Sequence, residues 1–165
     1  MTGGFHPSAP RAALFTWGVG VYIVGMTEPV HMMKLCVGAD RPEDLEEWQQ
    51  ERFSAGPAIH VTRMRPKRAE ELLAGGSLYW VFRGVMLARQ PLLGLEERLG
   101  EDGITRCALV LDPRLVRVVA VPRRPFQGWR YLSAADVPPD LPPGRDSEDP
   151  LPPGLVRELA EMGLL

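Results

Sequence analysis

Turn-forming residues limit this chain more than any other feature. Seventeen prolines and seventeen glycines are spread along its 165 residues, about a fifth of the whole where roughly 12% is usual. Proline removes a backbone donor and glycine loosens the backbone, so short elements and many turns are expected. One hydrophobic core fits a chain of this length and two do not fit comfortably. The apolar and charged shares, 45% and 24%, are those of a globular domain and exclude a wholly disordered chain.

An apolar run from Val30 to Val37 ends at Gly38 and reads as a short buried strand. Asp40 is expected to cap a helix in which Pro42, Glu43 and Asp44 suit the first turn and Leu45, Trp48 and Phe53 form the apolar face, with Gly56-Pro57 as its stop. Ala58 to Met64 alternates as a strand, and Lys67 to Ala74 reads as a short helix closed by Gly75-Gly76. Ser77 to Phe82 is the strongest strand; Gly84 marks a turn, and Val85 to Leu95 reads as a second strand interrupted by Pro91. Glu101-Asp102-Gly103 turns the chain into Thr105 to Leu111, Asp112-Pro113 ends that strand, and Leu115 to Val121 supplies one more.

This order predicts an α+β fold, a mostly antiparallel sheet curling into a small β-barrel and flanked by short helices. Residues 26–137 are expected to form the single domain. Residues 138–153 read as a Pro-rich acidic linker, extended or mobile, and 154–165 as a C-terminal helix that docks back. Residues 1–25 read as an extension from a mis-called start, with a short export signal as the alternative: the apolar stretch Ala12 to Val24 is too short for a membrane helix. Cys36 and Cys107 fall in no paired or metal-binding pattern and are expected to be small buried apolar residues. They fit a reducing, cytoplasmic setting. No metal or cofactor site and no membrane contact is expected.

Charge is distributed unevenly. Between His60 and Arg130 lie thirteen Lys and Arg against seven Asp and Glu, a local balance of +6, whereas the rest of the chain carries six against fourteen. A near-neutral total of -2 therefore conceals a basic centre, which points to an anionic partner. Arg63, Arg65, Lys67 and Arg68 crowd a strand-to-helix junction, where guanidinium groups and helix N–H groups make a phosphate site. Arg83 and Arg89 lie in the aromatic strand pair, and Arg123, Arg124 and Arg130 flank Phe126, Trp129 and Tyr131. Cations interleaved with flat rings suit a polyanion whose bases stack. The plainer alternatives are a solvated turn at Arg63 to Arg68 and core packing for Tyr79, Trp80 and Phe82.

Of the three histidines, His60 has the best claim on chemistry because it lies in the basic centre. As a base it needs Cys107, Ser77 or Asp112 within reach. The chain contains no Gly-x-Ser-x-Gly elbow, no Gly-Lys-Ser/Thr phosphate loop and no His-Glu-x-x-His motif, so no catalytic residue is assigned.

Several segments carry a family resemblance: Lys34-Leu-Cys-Val-Gly38, His60-Val-Thr-Arg-Met64 with Pro66-Lys-Arg68, Gly75-Gly-Ser-Leu-Tyr-Trp-Val81, Arg89-Gln90, Arg106-Cys107, Leu111-Asp-Pro113 and Arg124-Pro-Phe-Gln-Gly-Trp-Arg-Tyr-Leu132. From Met26 onward the chain resembles an alphaproteobacterial family, domain of unknown function 1489, which implies an identity and no mechanism. A basic strand, a short helix ending in Gly-Gly and a strand pair opening Ser77-Leu-Tyr-Trp also look like the start of barrels in the PUA and ASCH superfamily. That resemblance implies RNA or modified-base binding. The expected function is thus an RNA- or nucleic-acid-binding module. Its expected anion- or nucleic-acid-binding residues are Arg63, Lys67, Arg68, Trp80, Arg83, Arg89, Gln90, Arg123, Arg124, Trp129 and Arg130. Two alternatives stand beside it: an enzyme acting on a small phosphorylated or nucleotide-like substrate, with His60 as base, and a protein-interaction adaptor.

Overall fold

Ser77 to Phe82 is buried at every position, which requires cover on both faces of the sheet because alternate side chains point opposite ways. Leu78, Trp80 and Phe82 enter the main core with Leu45, Leu72, Leu109 and Val156. Tyr79 and Val81 enter a second cluster with Met86, Val118 and Leu132. In the computed structural model, which describes residues 28–54, 56–142, 144 and 151–164, this strand is β3 (Ser77–Phe82) of a seven-stranded sheet. The extension at 1–25 and most of the Pro-rich stretch after Pro142 lie outside the described residues.

Around it the chain runs β1 (His31–Leu35), α1 (Pro42–Phe53), β2 (Ala58–Thr62) and α2 (Ala69–Leu73) before β3. After it come β4 (Val85–Leu99), β5 (Thr105–Leu111), β6 (Val116–Pro122), β7 (Trp129–Leu132), a short 3-10 turn at Ala134–Asp136 and α3 (Pro153–Glu161). The fold is α+β. Strands lie in the order β2-β5-β4-β3-β1-β7, with β6 beside β4. All pairs are antiparallel except β1 with β3. The path ends at β2 and β7 with no ladder joining them, so the sheet is open where the sequence reading expected a closed barrel.

The fifteen-residue β4 organises the sheet. Its first half lies between β3 and β6; from Leu92 it pairs with β5. Pro91, expected to interrupt the strand, falls at the change of partner. Its missing N–H is harmless there, because its carbonyl still accepts from the Asp112 N–H at 2.9 Å and the next N–H, of Leu92, donates to the Gly76 carbonyl at 3.0 Å. A bulge between Leu92 and Gly94 follows and leaves Leu93 half exposed.

Local chemistry explains the helix ends. The first residue before α1 is Arg41, not Asp40. Asp44, inside the first turn, reaches back to accept from the N–H groups of Asp40 and Arg41 at 3.1 and 3.0 Å, doing from within what a capping residue does from outside. At the end of α2, Gly75 has φ +114, and a Cβ on Gly76 would overlap the carbonyl oxygens of Leu72 and Val30. Only glycine fits there. Arg83 and Gly84 form the tight β3–β4 turn with φ of 47° and 86°, the left-handed pair that suits a two-residue hairpin.

The Pro-rich segment begins extended, but docked. Val119 N–H donates to the Pro139 carbonyl and Leu141 N–H to the Arg117 carbonyl, each at 2.9 Å, and Asp140 bridges to Val118. Farther on, α3 returns to the body of the fold with Val156 buried in the main core.

Candidate functional site

The register of three strands places Trp129, Lys34 and Trp80 in one row: Lys34 of β1 is paired with Trp129 of β7 on one side and with Trp80 of β3 on the other. Residues so paired share a face of the sheet. Two depressions open on this face, and Lys34 lines both.

The first is a cavity of about 300 Å³. Its walls are Lys34 to Ala39 at the end of β1 and the loop beyond, Asp44, Leu45 and Trp48 of α1, His60 of β2 and Trp80 of β3. Trp80 is 2% exposed, and its Nε1 donates to Gln90 Oε1 at 2.9 Å. The His60 ring meets it edge-on, with centroids 5.2 Å apart. Burial, and then the Lys34 charge, push the His60 imidazole down to about 4, so it is neutral at pH 7. Its Nε2 is buried and has no hydrogen-bond partner among the described residues. Burial also raises the Cys36 thiol to about 11, which leaves it protonated and a poor nucleophile. Asp44 is committed to capping α1. Among the described residues, Lys34 is therefore the uncommitted charge of this cavity.

The second depression is a groove of about 560 Å³ between the two open ends of the sheet. Val61, Thr62, Arg63 and Met64 form one bank; Gln127 to Tyr131 form the other. No acidic residue lines it among the described residues. Trp129 and Tyr131 meet edge-on with centroids 5.0 Å apart. Among the described residues Lys34, Arg63 and Arg130 form no ion pair with a carboxylate. A groove with three unpaired cations and an aromatic bank has the charge and shape to hold an anionic, ring-bearing chain.

The remaining cations are arranged differently. Arg68 donates to Glu71 through two bonds of 2.8 and 2.5 Å and lies over the Tyr131 ring, whose hydroxyl accepts from the Arg68 N–H at 3.0 Å. Arg65 pairs with Glu97 at 3.7 Å. Arg83 pairs with Asp40, tying the loop after β1 to the β3–β4 turn. Arg89 donates to both oxygens of Asp140 at 2.6 Å and to Ser77 Oγ at 3.1 Å. Arg123 donates to the Asp136 carbonyl at 2.9 Å. Lys67 and Arg124 are exposed and outside both depressions. Gln90 is fully buried and bonded on all sides: it exchanges bonds with Gln49, accepts from Trp80 and donates to the Asp112 carbonyl. Of the expected binding residues, the structure thus brings Arg63, Trp129 and Arg130 together and turns Arg68, Arg83, Arg89 and Arg123 toward partners within the fold.

The residues that sequence reasoning left aside are Lys34 and Trp48. A single lysine inside an otherwise apolar strand was the available signal for the first. Trp48 was assigned to the helix's apolar face, yet it remains 47% exposed at the cavity wall. As for base chemistry, no hydrogen bond joins His60 to Cys107, Ser77 or Asp112 among the described residues. Cys107 is 1% exposed, and burial raises its thiol. No group of three metal-ligating side chains occurs among the described residues, and none of their helices is long and apolar enough to cross a membrane.

Fold and site together define a small α+β domain whose open sheet ends flank a basic, tryptophan-lined seam. The chain belongs to the family described as Protein of unknown function (DUF1489), whose model matches residues 32–165. No curated protein and no solved structure matches it significantly.

Proposed function

We propose that this protein binds single-stranded nucleic acid, RNA in the first instance, along the groove between β2 and β7. The observation that carries this reading is the convergence of Lys34, Arg63 and Arg130, all without carboxylate partners among the described residues, beside Trp129. Phosphates of the strand lie against the three cations, and a base stacks on the exposed part of the Trp129 indole. Lys67 and Arg124, also exposed and without an ion pair among the described residues, extend the positive surface. The resemblance of the sequence around Ser77-Leu-Tyr-Trp to the start of PUA and ASCH domains supports the same assignment, as does the basic centre of the chain. A cytoplasmic location is part of the reading, supported by two cysteines that form no disulfide.

Binding of labelled single-stranded RNA and DNA, followed by fluorescence anisotropy across a salt series, tests the proposal. The logarithm of affinity should fall linearly with the logarithm of salt, at roughly 0.7 per phosphate contacted. Absence of binding at low salt ends the proposal.

A further inference from the structure

The cavity beside the groove combines an apolar lining with a cation that no described carboxylate neutralises. Its volume of about 300 Å³ stands at the lower limit of small-ligand sites, roughly 300–1,000 Å³. One ring with a short arm fills such a space. Val37 and Trp48, 90% and 47% exposed, offer apolar surface where the cavity meets solvent, and Cys36, Ala39 and Leu45 continue the lining.

Lys34 is half-buried and forms no ion pair with a described residue. Its charge acts on both the His60 imidazole and the Cys36 thiol, which places the ammonium toward the cavity. His60 is neutral and its Nε2 is enclosed, so that atom meets no guest. Asp44, the carboxylate among the described wall residues, already accepts the N–H groups of Asp40 and Arg41. A purely apolar guest would cover the ammonium without pairing it, and a cationic one would be repelled. We infer that the cavity binds a small molecule made of one apolar ring or branched chain and a single anionic group, carboxylate or phosphate, with the anion on Lys34 and the apolar part against Trp48. Lys34 also lines the groove, so a guest in the cavity withdraws one of three cations from a bound strand. That regulatory consequence rests on the groove as the strand-binding surface; the cavity's own binding does not.

The full chain, labelled with nitrogen-15, is titrated with phenylacetate, its neutral isostere phenylacetamide, acetate and phenyl phosphate at matched ionic strength, followed by amide and indole NMR shifts. Phenylacetate or phenyl phosphate should saturate shifts of residues 35–39 and the Trp48 indole, at roughly 1 mM or tighter; the pair shows which headgroup is preferred. Phenylacetamide, without the charge, and acetate, without the ring, should each bind about tenfold or more weakly. Lys34→Met should reduce phenylacetate to the affinity of the amide. The wild-type comparison needs no variant, so a variant that fails to fold does not stall the test. Absence of saturation with both aromatic anions, equal affinity for phenylacetate and phenylacetamide, or shifts confined to residues 61–64 and 127–131 overturns the cavity site and leaves the groove standing. In the RNA titration, saturating phenylacetate should lower the salt slope by about 0.7, the loss of one phosphate contact, and phenylacetamide should not. An unchanged slope overturns the coupling. If no RNA binds at low salt, the groove reading falls while the NMR titration still decides the cavity.

Discussion

Gln49 and Gln90 face each other across the contact between α1 and β4 and exchange side-chain amide bonds of 3.1 and 2.8 Å, both residues buried. The pair is more than a clasp. Gln90 Oε1 also takes the indole N–H of Trp80, and Gln90 Nε2 also gives to the Asp112 carbonyl. One amide thereby holds a helix, the Trp80 wall of the cavity and the end of β5 in register.

Replacing Gln90 by Leu keeps the volume and strands the Trp80 N–H and the Gln49 amide together. Each buried unpaired group costs about 1–3 kcal/mol, so Gln90→Leu should destabilise the domain by about 3 kcal/mol, read as a lower urea midpoint at unchanged slope. Gln49→Ala, which leaves Gln90 its other two partners, should cost less.

The Arg89–Asp140 pair fastens the Pro-rich segment to the sheet. Asp140 is held below its ordinary range chiefly by the hydrogen bonds from Arg89, so its contribution is present above the unfolded carboxyl value near 3.9 and is lost as pH falls through the lower folded value. Because Asp140 is 45% exposed, screening limits the gain to about 1 kcal/mol. Urea midpoints of the wild type and Asp140→Asn should differ at pH 7 and converge as pH falls through the lowered folded value.

His60 gives a pH dependence in a different window. With the imidazole at about 4 when folded and near 6.5 when unfolded, the unfolded chain binds the extra proton between those values. Stability is therefore full above about pH 6.5 and declines toward pH 4, by roughly 2–3 kcal/mol. The decline should be smaller in His60→Gln, measured by chemical unfolding across pH.

The proposed groove separates the arginines into two groups. Arg63→Ala and Arg130→Ala should each weaken RNA binding and reduce the salt slope by about 0.7. Arg83→Ala, whose partner is Asp40, should leave the slope unchanged. Equal effects at all three positions would disconnect the groove from binding.

Gly76 tests the packing of the α2–β3 junction. A Cβ there would overlap two carbonyl oxygens of the backbone, which cannot swing aside as a side chain would. Gly76→Ala should cost about 3 kcal/mol or more, checked by thermal unfolding, whereas Gly103→Ala, with no neighbour within 4 Å at its Cβ position, should show only the penalty of its positive φ.

Signals contained in a few adjacent residues were legible in the sequence. β3 emerged with its observed ends, because the five consecutive large side chains that follow Ser77 admit little else. The Gly75-Gly76 stop and Pro42 in the first turn of α1 are likewise properties of one turn of chain. The site was only partly legible. The excess of cations marked the segment, and Arg63, Trp129 and Arg130 do share a groove, but composition does not tell a cation facing solvent from one held by a distant carboxylate.

By itself, then, the sequence determined a short-element α+β chain, its strongest strand, its helix stops and the whereabouts of its positive charge, because neighbouring residues settle each of these. Tertiary structure alone decided that β4 runs through Pro91, that the sheet stays open between β2 and β7, that Arg89 meets Asp140 fifty-one positions away, and that Lys34 stands between two tryptophans. Those outcomes depend on strand register and ion pairing between remote segments, and no local pattern records which partner will arrive.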